Sequence, residues 1–199
     1  MKQRSRGFTL YELMITIALA AVIFGLGVPA FRDFGRNGRL TGAANDMLVT
    51  LVTARNEAVR RQARTSFCPS NNPDDELASC DEEATDGFIA FVDENGDCKR
   101  DDDDIIVSSF VRHSEVEAGN NILCVGYAPS GFRVPTAGTP ANSHIVFCDH
   151  RGIAKVSDTS PNSYARGVEI VATGRAAVTR LYADLNLWTE GENPVTCHE

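Results

Sequence analysis

No C-x-x-C pair occurs in the 199 residues, and neither does H-E-x-x-H or G-x-S-x-G. The first absence removes a zinc ribbon and a thioredoxin-type redox site, and the others remove the common metalloprotease and serine-hydrolase signatures. Four histidines (His113, His144, His150 and His198) are scattered without ligand spacing. His150 beside Asp149 and near Ser143 does not make a hydrolase, because neighbours in a strand point to opposite faces. No glycine-rich phosphate loop is present either, so neither an enzyme nor a bound cofactor is expected. Positive charge is not in surplus: 19 Lys and Arg against 27 Asp and Glu leave a formal charge of −8. That balance argues against a general binder of nucleic acid or of anionic membranes, although a local basic patch survives the argument. There is no internal repeat, no long linker and no second apolar run of spanning length. With 43% apolar and 23% charged residues, disorder, collagen-like repeats and a polytopic membrane protein are excluded.

What is present is lopsided. Residues 1–7 carry Lys2, Arg4 and Arg6 and no acid, and residues 8–31, FTLYELMITIALAAVIFGLGVPAF, carry one charge, Glu12. Twenty-four helical residues span about 36 Å, enough for a hydrocarbon core of about 30 Å. The run is longer than the core of a cleaved secretory signal, and no small-residue cleavage site bounds it. The basic leader favours a cytoplasmic N-terminus with the remainder exported; Arg32, Arg36 and Arg39 on the far side weaken that bias. Glu12 is costly within the apolar run, by about 2.5–3.5 kcal/mol on insertion scales, and no Lys or Arg in the run pairs with it. It is either a snorkelling interfacial acid or one half of a pair with another chain.

Gly25, Gly27 and Pro29 near the end of the run predict a kink or local melting. Beyond them Leu40, Ala44, Met47, Leu48, Leu51, Val52, Ala58 and Val59 recur at three- and four-residue spacing, an amphipathic helix with Arg60, Arg61 and Arg64 where cations suit its dipole. From about Thr65 the pattern turns to short β-rich runs: Gly87–Asp93, Ile105–Val111, Ile122–Tyr127, Ser143–Asp149, Val168–Thr173 and Ala176–Tyr182, with Gly174-Arg175 as a tight turn. Helix first and strands afterwards predict an α+β domain with one antiparallel sheet or two. Cys68, Cys80, Cys98, Cys124, Cys148 and Cys197 all lie outside the apolar run, and an even set in an exported domain reads as a disulfide framework. Six cysteines allow fifteen pairings. Cys68 with Cys80 would close a short polar loop, and Cys148 with Cys197 would pin the tail.

Gly7-Phe8-Thr9-Leu10-Tyr11-Glu12, between a basic leader and an apolar helix, resembles the class III signal of type IV pilins and type II secretion pseudopilins. The resemblance implies cleavage by prepilin peptidase between Gly7 and Phe8 and N-methylation of Phe8. It also implies pairing of Glu12 with the terminal amine of a neighbouring subunit. Losing the leader's three cations would lower the formal charge from −8 to −11. The stretches LTGAANDMLVTLVTARNEAVRRQ, FCPS, DGFIAFVDENGD, HIVFCDHRG and VATGRAAV are similar to the minor pilin and pseudopilin family called GspH/FimT. A type IV pilin-like fold is thereby implied, with a long hydrophobic N-terminal α-helix packed on an antiparallel β-sheet head. Its expected parts are a leader (1–7), a transmembrane and assembly helix (8–31), an amphipathic continuation of the stem (32–64) and a periplasmic β-rich head (65–199). The implied setting is the inner membrane, crossed once, with other minor and major pilins or pseudopilins as partners. The implied role is priming or capping a type II secretion pseudopilus or a type IV pilus.

Two further sites are candidates. Family members used in DNA uptake carry a Gly-Arg-x-Arg turn; here the residues are Gly174, Arg175, Ala176 and Ala177, so the second arginine is missing. Arg166, Arg175 and Arg180 gathered on one edge would still meet phosphates, so a DNA-binding minor pilin is the alternative, set against a turn with solvated arginines. Asp93, Asn95 and Asp97 place oxygens at alternate positions, as a calcium loop does. Against calcium, the glycine is early, no glutamate closes the loop, and Asn95-Gly96 is equally a hairpin turn.

Overall fold

The computed structural model describes residues 8–84, 86–101, 103–136, 138–189 and 197. The first element, α1, runs from Leu10 to Arg61, 52 residues without a break. No melting occurs at Gly25, Gly27 and Pro29, because a proline costs one backbone bond and a local clash while cooperative helix on both sides carries the chain across. The helix ends where Gln62 takes a left-handed φ of 53° and its side-chain amide caps the Val59 carbonyl at 2.7 Å. Arg60 and Arg61 in the last turn both reach Glu57 at 2.6 Å.

The chain divides into two units at Gly38/Arg39. In the first, the apolar side chains of α1 are exposed, Phe8, Leu10 and Ile23 among them. In the second, α1 buries Leu40, Ala43, Ala44, Met47, Leu51, Ala54 and Ala58. Val52 and Val59, assigned to that stripe from their spacing, instead remain 45% and 44% exposed. They lie about 100° round the helix from Leu51 and Ala58, a turn that an all-apolar stretch conceals.

Nine strands follow among the described residues: β1 (Thr65–Ser70), β2 (Gly87–Val92), β3 (Ile106–Val111), β4 (Glu117–Asn120), β5 (Val125–Tyr127), β6 (Arg133–Val134), β7 (Ser143–Cys148), β8 (Asn162–Ile170) and β9 (Ala176–Leu181). A short helix, α2 (Tyr182–Thr189), comes after them. The strands form two antiparallel sheets, ordered β3-β2-β1-β5-β6 and β4-β7-β8-β9. Strand β1 contains Pro69, yet Pro69 sits opposite Phe88 of β2 and its carbonyl accepts from Asp81 rather than from a strand. Its missing N–H therefore faces the side where β5, paired only with residues 65–67, does not reach.

Alternation along each strand sends one set of side chains to each face. Phe67, Phe88, Phe110, Ile145, Phe147 and Val168 meet the distal half of α1 in the main core, with Phe67 and Phe88 stacked 5.0 Å apart. The opposite set is covered twice. Cys68, Ile89 and Phe91 lie under Ala78 of the β1–β2 loop, held by the Cys68–Cys80 bridge. Val146, Cys148 and Ala165 lie under Leu185 and Trp188 of α2, and Cys148 is bonded to Cys197. The third bridge, Cys98–Cys124, joins the β2–β3 loop to the residue before β5. A buried guanidinium ties the sheets together: Arg133 of β6 donates to the carbonyls of Pro140, Ala141 and Ile170 and to Ser143 Oγ. The β8–β9 turn passes so close that a Cβ on Gly174 (φ +81°) would lie 3.0 Å from the Arg133 nitrogen.

Candidate functional site

The start of α1 is built by Thr9 and Glu12. The Thr9 backbone N–H and its hydroxyl both donate to Glu12 Oε2, at 2.9 and 3.0 Å. The Glu12 backbone N–H returns a bond to Thr9 Oγ1 at 3.2 Å, and the Thr9 carbonyl accepts from Leu13. This reciprocal pair is a capping box, and it satisfies two backbone donors that the first helical turn otherwise leaves open. Glu12 has no Lys or Arg in the run to pair with, yet it has a partner in Thr9. Its carboxylate is held by neutral donors at the helix end. The Thr-x-x-Glu signature was present in the sequence all along. Gly7 and the leader lie outside the described residues. Phe8 is 83% exposed, and the helix is long and apolar enough to cross a membrane.

The arginine candidates do not form one basic edge. Arg166 is buried: its Nε reaches Thr41 Oγ1 on α1 at 3.3 Å, and Nη1 donates to the carbonyls of Ser163, Tyr164 and Ala165. Its donors are spent on fastening α1 to β8. Arg175 and Arg180 are exposed, but four strand residues lie between them, which sets them about 17 Å apart. Arg180 and Arg151 lie near Arg166, but the burial of Arg166 and the distance of Arg175 keep the three candidates from forming one exposed row.

The calcium arrangement does not form either. Asp93 is fully buried, and its carboxylate accepts from Ser66 Oγ (2.5 Å) and from the backbone N–H groups of Gly96 (2.7 Å) and Cys98 (3.1 Å). Asn95 Oδ1 and Asp97 Oδ1 each accept a backbone N–H two residues on. These carboxylates shape the loop from within, and among the described residues no group of three or more His, Cys, Asp or Glu could hold a metal ion.

The histidines are likewise apart. Asp149 and His150 lie in the turn after β7 rather than within a strand, and Asp149 is paired with Arg151 at 2.6 Å. Ser143 Oγ donates to the Pro140 carbonyl. His198 lies outside the described residues. His144 stacks on Trp188 with ring centroids 4.1 Å apart, and burial pushes its pKa from 6.5 down to about 4. Below pH 6.5 the unfolded chain takes up a proton that the folded chain refuses until about pH 4. The stability present above pH 6.5 is therefore lost as pH falls through that window, by at most about 2 kcal/mol after allowing for the ring's partial exposure. Thermal denaturation across that range should show the midpoint falling. His144→Phe, which keeps the stacking, should flatten the slope; an unchanged slope would place the acid sensitivity elsewhere.

Comparison with known proteins follows the same division of the chain. A family model described as Type II transport protein GspH matches residues 43–174, and one described as Prokaryotic N-terminal methylation motif matches residues 2–28. Prepilin peptidase-dependent protein D of Escherichia coli (strain K12) is 42% identical over 52 residues, which is 26% of this chain. The chain spans about a third of that relative's length. The crystal structure of the type IV minor pilin FimU of Pseudomonas aeruginosa (strain PAO1) superposes with a TM-score of 0.51 at 17% identity. That match covers 83% of this chain and 99% of the other, and it bears on the fold alone.

Proposed function

The chain belongs to the Type II transport protein GspH family, a family of minor type IV pilins and pseudopilins, and on that premise we propose that it primes or caps a filament of secretion or pilus type. Proteins of this kind are structural. The observation that carries the reading is the Gly7–Glu12 signal placed at the capped start of an exposed apolar helix. In the proposed sequence of events, prepilin peptidase removes residues 1–7 and methylates Phe8 while residues 8–31 hold the chain in the inner membrane. The head, residues 65–199 with the stem residues 32–64, then stands in the periplasm. As the subunit enters the filament, Glu12 exchanges the neutral donors of Thr9 for the charged terminal amine of a neighbour. The low dielectric of a helical bundle favours that exchange, because a carboxylate there needs a cation.

Intact-mass measurement of the chain purified from membranes should give a product that begins at N-methylated Phe8. A product retaining the initiator methionine would remove the reading. A deletion strain then separates the two machines: loss of surface pili assigns the pilus, and loss of secreted proteins from the medium assigns the secretion pseudopilus.

A further inference from the structure

A cavity of about 420 Å³ opens between the β2–β3 loop and the residues following β6, lined among others by Arg64, Glu82, Asp97, Lys99, Leu123 and Pro135. Arg64 lies between α1 and β1, and its side chain is 22% exposed. Its Nε is buried without a hydrogen-bond acceptor among the described residues. The nearest carboxylate oxygen, Asp93 Oδ2, is 3.9 Å away, beyond hydrogen-bond distance. Asp93 cannot close that gap cheaply, because its oxygens already serve Ser66, Gly96 and Cys98. Arg64 Nη2 touches only Cys98 Sγ, at 3.7 Å, and sulfur is a weak acceptor. A guanidinium with five donors thus borders the cavity with a loose ion pair to Asp93 and no oxygen within hydrogen-bond distance among the described residues.

The backbone beside it makes way for the guanidinium and fixes it at the cavity wall. A Cβ on Gly96 would stand 2.6 Å from Arg64 Nη1, and one on Gly126 would stand 3.0 Å from Nη2. Cys98 holds a left-handed φ of 63° at the cavity wall, a conformation uncommon for a residue with a side chain. A buried donor without an acceptor, a guanidinium held at a cavity wall and local strain at one place suggest a ligand.

We infer that this cavity binds a carboxylate carried on a short apolar stem, with the Arg64 guanidinium as its donor fork. A planar fork matches a carboxylate by two parallel N–H···O bonds. Glu82 and Asp97 offset Lys99 at the walls, which disfavours a dianion such as phosphate, and Leu123 and Pro135 supply apolar surface for the stem. The carboxylate can come from a neighbouring chain or from a free small acid.

The test uses the full-length chain in detergent micelles, labelled with [15N]arginine, with the Arg64 Nε–Hε signal assigned through Arg64→Lys. The probes are butyrate, the dipeptide acetyl-Ala-Leu as free acid and as amide, and inorganic phosphate at matched ionic strength. Butyrate and the peptide acid should shift the Arg64 signal saturably, and the amide and phosphate should not. Lys99→Glu should weaken that binding about tenfold. Gly126→Ala, whose methyl crowds Nη2, should weaken it at least as much while the remaining spectrum stays folded. A peptide acid binding tenfold tighter than butyrate supports a neighbouring chain as the source, and equal affinities support a free acid. No saturable shift, an equal response to acid and amide, or an equal response to phosphate overturns the proposal. None of these readouts depends on filament assembly, so the proposal can fail while the pilin reading stands.

Discussion

Glu12→Ala should yield a chain that inserts, folds and is processed, yet is depleted at least tenfold from sheared filaments relative to the parent. Breaking one side of a buried ion pair costs about 3–5 kcal/mol, because the orphaned charge stays in a medium of low dielectric. A tenfold change needs only about 1.4 kcal/mol, so the expectation is conservative. The capping box adds a second consequence, since the alanine also frees the Thr9 donors that Glu12 holds at 2.9 and 3.0 Å. Loss of an N-terminal cap costs about 1 kcal/mol of helix stability. Glu12→Gln separates the two contributions, because glutamine at the third helical position still accepts from the cap residue but carries no charge. If charge pairing drives assembly, Glu12→Gln should be depleted nearly as much as Glu12→Ala. Normal incorporation of Glu12→Gln would leave only the cap and end the pairing account.

The second large effect is expected from the tail. Cys148 and Cys197 are 49 residues apart, and in the chain-entropy model closing such a loop stabilises the fold by about 4 kcal/mol. Cys148 is fully buried among Val146, Ala165 and Leu185, so the bridge holds Cys197 against the outer face of the second sheet, beside α2. Contact there is close: a Cβ on Gly167 would fall 2.3 Å from Trp188 Cζ3. Cys148→Ala with Cys197→Ala should therefore lower the thermal midpoint by about 10 °C and expose the chain after β9 to chymotrypsin, which cuts beside aromatic residues such as Tyr182 and Trp188. A midpoint within about 3 °C of the parent would show that α2 holds its place by packing alone.

Much of the fold could be read from local pattern. Strands β2, β3, β7 and β9 fall within one residue or so of runs in which apolar and β-branched residues concentrate between turn residues. The misses have separate causes. Strand β1 was hidden by Pro69, and the first half of β8, Asn-Ser-Tyr-Ala-Arg-Gly, by polar residues whose partners lie elsewhere in the chain. Strands β4 and β6 are too short to show a period, and α2 begins directly after β9 with no turn to mark it. The Thr9–Glu12 capping box has a local signature, Thr-x-x-Glu, but it lies inside an apolar run where a carboxylate equally fits a pair with a distant cation.

By itself the sequence determined the N-terminal methylation motif, the apolar helix, the placing of the cysteines outside that helix and the order of helix before sheet. Each of these depends on residues a few positions apart, where composition and period act directly. Only the tertiary structure decided that Cys98 bonds to Cys124, that Arg166 and Arg133 point inward, that Asp93 shapes a loop rather than holding an ion, and that Arg64 borders a cavity. Those outcomes depend on which segments a folded chain brings together across dozens of residues, and a charged side chain looks the same in sequence whether it faces water or a ring of carbonyls.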